Sequence, residues 1–192
     1  MRRVALALLA VLVAGACRRE PTSPPRAGPA ESPTPSPTPK ELPGASCQER
    51  MAGDARNTPD FVAVDVESEG DVDRVTFTFR KRDGAPDVPP FHIVRFVDEP
   101  TTDPQGAPAD IEGEAFVQII FQAFGVDLSG EKPVEIYKGP KEFTPGFSTV
   151  LEVEELGDFE ATISWGIGLS SRACFVLDAT PTRITLEFPS GG

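Results

Sequence analysis

Residues 74–79 read Arg-Val-Thr-Phe-Thr-Phe, and polar and apolar side chains alternate along the whole stretch. Successive side chains of a β-strand point to opposite faces, so Val75, Phe77 and Phe79 fall on one face and the polar residues on the other. Such a strand buries one face against a core and leaves the other to solvent. The stretch therefore predicts a half-buried strand of an antiparallel sheet.

Similar short runs, rich in β-branched and aromatic residues, recur to the end of the chain and are separated by Gly, Pro and Asp turn signals. They predict nine strands, near 61–67, 73–80, 91–97, 114–124, 134–138, 148–156, 159–167, 173–178 and 182–188. The run 114–124 is apolar enough that periodicity alone leaves a helix open. Many short strands joined by turns predict an all-β fold, either a β-sandwich or a barrel, of about eight or nine strands.

The stretch 159–167 shows the same alternation. Its apolar positions, expected on one buried face, are Phe159, Ala161, Ile163, Trp165 and Ile167. The positions expected on the opposite, solvated face are Glu160, Thr162 and Ser164. This phase predicts Trp165 to be a core residue, whereas Tyr137, next to Lys138-Gly139-Pro140, is predicted to be partly exposed near a strand end.

A faint internal repeat links two of the predicted strands. Residues 74–79 and 183–188 share the order Arg, β-branched, Thr, apolar, polar, Phe. The match supports two sheets in which these strands are structural counterparts, although six residues of loose agreement also fit chance. In both segments the arginine and the polar residues point away from the buried face.

The chain begins with the three parts of a bacterial export signal. Met1-Arg2-Arg3 is basic, residues 4–13 are apolar, and Ala14-Gly15-Ala16 is a small-residue cleavage site directly before Cys17. The apolar run is too short for a bilayer, which needs about 20 residues. A cysteine after the cleavage site resembles the lipobox of bacterial lipoproteins, which implies that Cys17 is acylated, for example with palmitate. Ordinary secretion and an uncleaved anchor are the alternatives.

Composition divides the chain into a signal peptide at 1–16, a Pro/Ser/Thr-rich disordered tether at 17–46 and one domain at 47–192. Residues 18–46 contain no Val, Ile, Phe, Trp or Tyr and so have little to bury. The predicted location is the outer face of the bacterial cell membrane, with the domain held to the membrane by the lipid.

The charge of the domain excludes some partners. The whole chain carries −12, while residues 1–46 hold six basic and three acidic side chains, so the domain carries −15. Nucleic acid requires a basic footprint, and anionic lipid head groups attract basic segments. We therefore expect the domain to bind neither nucleic acid nor an anionic lipid surface by charge.

The chain offers few residues for catalysis. His92 is the only histidine, which excludes a multi-histidine metal site, and it lies in an apolar strand, where a surface or structural role is expected. Acidic residues recur at every second position at 65, 67, 69, 71 and 73 without EF-hand spacing, which favours a solvated strand edge and hairpin over calcium ligands. We predict no enzyme activity, metal or cofactor, with a carboxylate-dependent hydrolase left open.

Two cysteines remain once Cys17 is assigned to the lipid. Cys47 precedes the first predicted strand and Cys174 opens a late one. Thiols in an exported domain meet an oxidising compartment, so the two are predicted to form a disulfide. The alternative is a stray thiol at 47 and a small buried residue at 174.

Several segments resemble the AMIN-like domain of actinobacterial lipoproteins and exported proteins. The resemblance rests on 73–79, Gly157-Asp158-Phe159-Glu160, Trp165-Gly166-Ile167-Gly168-Leu169, Phe175, Pro181 and 183–188. Taken in order it covers most of 60–189, with Cys174 as a departure. It implies a compact β-sandwich, no known reaction, and a looser similarity to AMIN domains, which localise cell-wall amidases by binding envelope polymer.

Three functions follow as expectations. The first is a non-catalytic envelope binding module for peptidoglycan or another envelope glycan, with Arg74 and Arg183 as candidate ligand-binding residues because guanidinium groups suit carboxylate and sugar oxygens. Surface ion pairs are the other interpretation of these arginines. The second function is an interaction or scaffolding module for an envelope protein, and the third is the hydrolase.

Overall fold

The computed structural model describes residues 41–191, so the predicted signal peptide, Cys17 and most of the predicted tether lie outside the described residues. The strands in the described range are β1 (Arg50–Ala52), β2 (Asp60–Glu69), β3 (Val72–Arg80), β4 (His92–Val97), β5 (Ala115–Gln122), β6 (Val126–Asp127), β7 (Val134–Glu135), β8 (Glu142–Phe143), β9 (Val150–Phe159), β10 (Thr162–Leu169), β11 (Val176–Thr180) and β12 (Arg183–Pro189). Each of the nine predicted strands overlaps one of them, and 114–124 contains the strand β5.

The strands form two packed antiparallel sheets and a small ribbon. One sheet has the order β1-β4-β5-β10-β9-β8, the other has the order β11-β12-β3-β2, and β6 pairs only with β7. The prediction of an all-β sandwich is confirmed. The strands without a predicted counterpart, β1, β6 and β8, have two or three residues each, too few for an alternating pattern to be visible.

The core lies between the facing sides of the two sheets. Val75, Phe77 and Phe79 of β3 are buried there, as the alternation predicts. Trp165 is fully buried, which confirms its predicted core position, and its ring lies 5.9 Å from that of Phe77 and 6.1 Å from that of Phe61. Aromatic side chains bury large apolar areas, so this cluster is a main source of the stability of the sandwich.

The prediction of a strand beginning at Phe159 is wrong, because a hairpin turn interrupts it. Phe159 ends β9 and pairs with Thr162 of β10, so Glu160 and Ala161 form a two-residue turn. Both turn residues have positive φ, 51° and 59°. Hairpin turns of this kind usually carry Asn-Gly, and Glu-Ala gives no such signal in the sequence.

The two segments of the faint repeat are neighbours in one sheet and not counterparts in two. β3 and β12 pair antiparallel, with Arg183 opposite Thr78 and Glu187 opposite Arg74. Their shared pattern has a simpler origin, since both strands bury one face against the same core and leave the other face to solvent.

The acidic run behaves as predicted on β2 but not at its end. Asp65, Glu67 and Glu69 are exposed on β2, which is an edge strand. Asp73, by contrast, is fully buried, and its carboxylate accepts hydrogen bonds from the backbone N–H groups of Thr149 and Val150 at 3.1 Å each. Asp73 therefore joins β3 to the start of β9 in the opposite sheet.

The loop between β4 and β5, residues 98–114, covers the outer face of β10, where solvent was expected. Ser164 is buried and donates a hydrogen bond to the Asp103 carboxylate at 2.6 Å. At the other end of the loop, the Glu112 N–H donates to the Glu152 carboxylate at 2.6 Å. Ser164, which has a short side chain, and the glycines Gly166 and Gly168 leave the space on β10 that the loop fills.

Gly168→Ala should displace this loop. A Cβ atom at position 168 would lie 1.9 Å from the Glu112 carbonyl oxygen, whereas one at Gly130 would meet only an ordinary contact at 3.7 Å. Overpacking of this kind costs about 1–3 kcal/mol. Urea unfolding should show that loss for Gly168→Ala and not for Gly130→Ala, and equal stability of the two variants would contradict the close approach.

The segment before β1 is fixed to the end of the sandwich that carries Phe175. The Ser46 N–H donates to the Phe175 carbonyl at 2.9 Å, and the next residue, Cys47, forms a disulfide with Cys174. The two Cα atoms lie 4.5 Å apart, within the range that a disulfide requires. The predicted Cys47–Cys174 disulfide is confirmed.

Candidate functional site

The outer side of the four-stranded sheet carries a concave polar surface, which we call the polar face. It is a shallow concavity of about 480 Å³. Its lining residues come from all four strands and are Asp65, Glu67, Arg74, Thr76, Val176, Asp178, Arg183, Thr185 and Glu187. They are the residues of these strands whose side chains point to solvent, while the residues that alternate with them point into the core.

Strand register arranges the polar face in rows. One row across the sheet runs Asp65, Thr76, Thr185, Asp178. The next row runs Glu67, Arg74, Glu187, Val176. Side chains directly opposite each other on neighbouring strands are close enough to interact. The first row is therefore a continuous line of polar groups, and the second is polar except for Val176 at its end.

Arg74 lies within a group of carboxylates. Its Nε donates to Glu187 at 2.9 Å, and its Nη1 lies 3.8 Å from the Glu69 carboxylate. The hydrogen bond with Glu187 raises the pKa of the guanidinium above its usual value. Arg74 is therefore a permanently charged group whose partners on the protein already neutralise it.

Arg183 is more available to a ligand. Its Nη2 lies 3.4 Å from the Asp178 carboxylate, and about half of each side chain is exposed, 53% and 62%. Exposed ion pairs of this length contribute little to stability, about 0–1 kcal/mol, so a ligand can replace either partner at low cost. The structure thus brings both predicted arginines to one surface, and each of them makes a surface ion pair, as the alternative interpretation held.

The polar face is acidic despite its arginines. Four carboxylates and two guanidinium groups line it, and the hydroxyl oxygens of Thr76 and Thr185 lie 3.4 Å apart at its centre. Sequence reasoning singled out the arginines and missed the threonines, Asp178 and Glu187. The signal for them was present in the alternation, but only the pairing of β3 with β12 shows that they share a surface.

Neither Trp165 nor Tyr137, the aromatic residues weighed in the sequence, lines the polar face. Tyr137 is buried, with its ring stacked on Phe61 at 4.6 Å and its hydroxyl hydrogen-bonded to the Pro140 carbonyl, so its predicted partial exposure is wrong. Burial raises the pKa of Tyr137 to about 12. The short strand β7 ends before Tyr137 and lets the ring turn into the core.

His92 is a buried structural residue. Its Nδ1 lies 2.8 Å from the Pro90 carbonyl oxygen, and burial lowers the pKa of the imidazole below its usual value. The neutral ring is therefore the form that the folded domain favours. Its position inside the six-stranded sheet keeps it away from the polar face.

A second cleft contains three carboxylates, Glu135, Glu155 and Asp158, together with Lys141 and Tyr137. Lys141 forms an ion pair with Glu155 at 3.0 Å, while burial, and then the nearby Glu155 charge, raise the pKa of Asp158. The cleft measures about 40 Å³. That volume holds about one water molecule and leaves no room for a sugar ring.

Two features are absent from residues 41–191. No group of three or more His, Cys, Asp or Glu side chains in this range has the arrangement of a metal site. No helix in the same range is long and apolar enough to cross a membrane.

Comparison with known proteins gives the family. A family model, the AMIN-like domain, matches residues 59–189. This range contains strands β2 to β12 and therefore the whole polar face. No curated protein and no solved structure matches the chain. Because the model spans more than half of the 192 residues and the fold is an all-β sandwich, the chain belongs to the AMIN-like domain family.

Proposed function

We propose that this protein is a lipid-anchored, non-catalytic module of the bacterial cell envelope that binds peptidoglycan or a related envelope glycan through the polar face. Membership of the AMIN-like domain family suggests a cell-envelope binding or interaction module. The observation that carries the proposal is the polar face itself, a concavity that aligns charged and hydroxyl groups from four strands.

The chemistry of the polar face indicates the groups of the ligand. Carboxylates and hydroxyls accept hydrogen bonds from sugar O–H, amide N–H and ammonium groups, and the exposed guanidinium of Arg183 donates to carbonyl or carboxylate oxygens. Acids outnumber arginines four to two, so we expect the ligand to present more donors than anionic groups. A glycan that carries amide and amine groups provides this mixture.

The small size of the Glu155–Asp158 cleft supports a role without catalysis. A glycoside hydrolase needs two carboxylates on either side of a sugar. Here one of the three lining carboxylates, Glu155, is paired with Lys141, and the cleft of about 40 Å³ is too small for the substrate. This cleft therefore gives no support to the third function considered, the hydrolase.

The anchor is proposed from the sequence of the leader. Lipid on Cys17 would hold the chain to the membrane, and a tether of about 29 residues in extended polyproline geometry would let the domain reach about 90 Å from it. Cys17→Ala should release the protein to the medium or leave it unprocessed. Detergent partitioning and mass spectrometry test this, and wild-type protein without an attached lipid would contradict the anchor.

Co-sedimentation with purified cell wall tests the binding proposal. The variant Arg183→Ala/Asp178→Ala removes an exposed ion pair from the polar face, whereas Lys81→Ala/Asp87→Ala removes an ion pair that lies outside it. Both changes leave the net charge unaltered. Loss of hydrogen bonds to charged groups costs about 1.5–3 kcal/mol, so the first variant should bind at least tenfold more weakly. Equal retention of the two variants and wild type would reject the polar face as the binding site.

A further inference from the structure

An apolar groove lies at the end of the sandwich where the β9–β10 turn meets the β6–β7 ribbon. Phe124, Val126, Leu128, Phe159 and Ala161 line it, and its volume is about 400 Å³. Leu128 is 72% exposed and Phe159 50% exposed, although both are large apolar side chains. Contiguous exposed apolar groups on a soluble domain mark an interaction site more often than single ones do.

The protein covers other phenylalanine rings near its surface with its own arginines. The guanidinium of Arg82 lies over the Phe124 ring at 4.0 Å from its centroid, and that of Arg172 lies over Phe96 at the same distance. Phe159 is the most exposed phenylalanine of residues 41–191, and no cation of this range lies over it. The ring therefore presents an open face to which a cation can bind.

Carboxylates lie beside that open ring. Asp158 and Glu160 flank Phe159 in the chain and line the same groove. Neither of them forms an ion pair with a residue in the described range 41–191. Both carboxylates are exposed to solvent at the edge of the groove, so their charges are accessible to a cation that enters it.

We propose that this groove docks a segment of another protein in which a lysine or arginine lies next to an aliphatic residue. The aliphatic side chain packs between Leu128 and Phe159, while the basic side chain lays its methylene stem on the Phe159 ring and directs its charge to Asp158 and Glu160. The domain would then bind a protein partner in addition to the envelope glycan of the proposed function. The groove shares no lining residue with the polar face, so the two ligands would bind at separate sites.

The same charges argue against other occupants. A second copy would bring an identical groove, so its own Asp158 and Glu160 would face those of the first copy in a symmetric contact. Anionic lipid head groups would be repelled for the same reason. A basic segment of a different protein is the occupant whose charge complements the groove.

Selection from a random heptapeptide display library on the full-length chain in detergent tests this proposal. Peptides enriched on wild type should share a lysine or arginine beside Leu, Ile, Val or Met. One enriched peptide is then synthesised and titrated against wild type, Phe159→Ala, Asp158→Asn/Glu160→Gln, and the control Val134→Ala, which alters an exposed apolar residue that does not line the groove. Affinity should fall at least tenfold for the two groove variants and stay within twofold for the control.

A second arm does not depend on the folding of any variant. Exchanging the basic residue of that peptide for Glu should weaken its binding to wild-type protein at least tenfold. The proposal is overturned if no peptide is enriched, if the enriched peptides lack a basic residue, or if the groove variants bind as wild type does. It is also overturned if wild-type protein self-associates or binds anionic vesicles and Phe159→Ala abolishes that association. Arg183→Ala/Asp178→Ala should leave peptide binding unchanged, so a failure here and a failure of wall binding are distinguishable.

Discussion

The double variant Cys47→Ser/Cys174→Ser is expected to lose about 2–5 kcal/mol of unfolding free energy. The disulfide joins residues 127 positions apart, so it restricts the unfolded chain over almost the whole domain. Urea unfolding of the variant and of wild type measures the difference. Wild type treated with dithiothreitol is the matched control and should unfold as the variant does.

The disulfide should also act locally. Without it, the pair between Ser46 and Phe175 is the next contact that holds the N-terminal segment to the sandwich. We expect faster hydrogen exchange of the Ser46 amide in the double variant, while amides in β10 keep their protection. If the variant and wild type have equal stability and equal exchange at Ser46, the proposed role of the disulfide is wrong.

Asp73→Ala is expected to lose about 2–5 kcal/mol, because two backbone donors become buried without a partner. The N–H groups of Thr149 and Val150 both donate to the Asp73 carboxylate, and the Ser68 hydroxyl donates to its other oxygen at 2.7 Å. Asp73 is fully buried, so water can take the place of its carboxylate only if the structure opens. Urea or thermal unfolding measures the loss.

Two further variants separate the hydrogen bonds from the charge. Asp73→Asn keeps one carbonyl acceptor and should lose less than Asp73→Ala. Glu69→Ala, at an exposed position of the same acidic run, should change stability by no more than about 0.5 kcal/mol. A loss for Glu69→Ala as large as that for Asp73→Ala would contradict the structural role of Asp73.

Strands with one buried face could be predicted from the sequence because apolar and polar residues alternate along them. In β3 the alternation of Val75, Phe77 and Phe79 with polar residues gave both the strand and its buried side. The same rule failed between Phe159 and Thr162, since a turn of two non-glycine residues continues the alternation without a break. The rule also failed at Ser164, which is covered by a distant loop and not by solvent.

The candidate site could be predicted only in part, because its residues come from strands that are distant in the chain. The pattern shared by 74–79 and 183–188 points to Arg74 and Arg183 but favours two separate sheets, whereas the two strands pair in one. Their true relation depends on the pairing of β3 with β12, which no local pattern records. Tyr137 was missed as a core residue for a similar reason, since its partners Phe61 and Trp165 are far from it in sequence.

Binding of envelope glycan by the polar face is tested most directly by NMR mapping with soluble fragments of purified cell wall. The isotopically labelled protein is titrated with disaccharide-peptide fragments, and amide shifts are followed on both sheets. The account predicts shifts at Thr76, Arg183 and Thr185 and along the outer side of β11, with the six-stranded sheet unchanged. Shifts confined to the groove at Leu128 and Phe159, or no shifts with fragments of a wall that retains the protein, would contradict it.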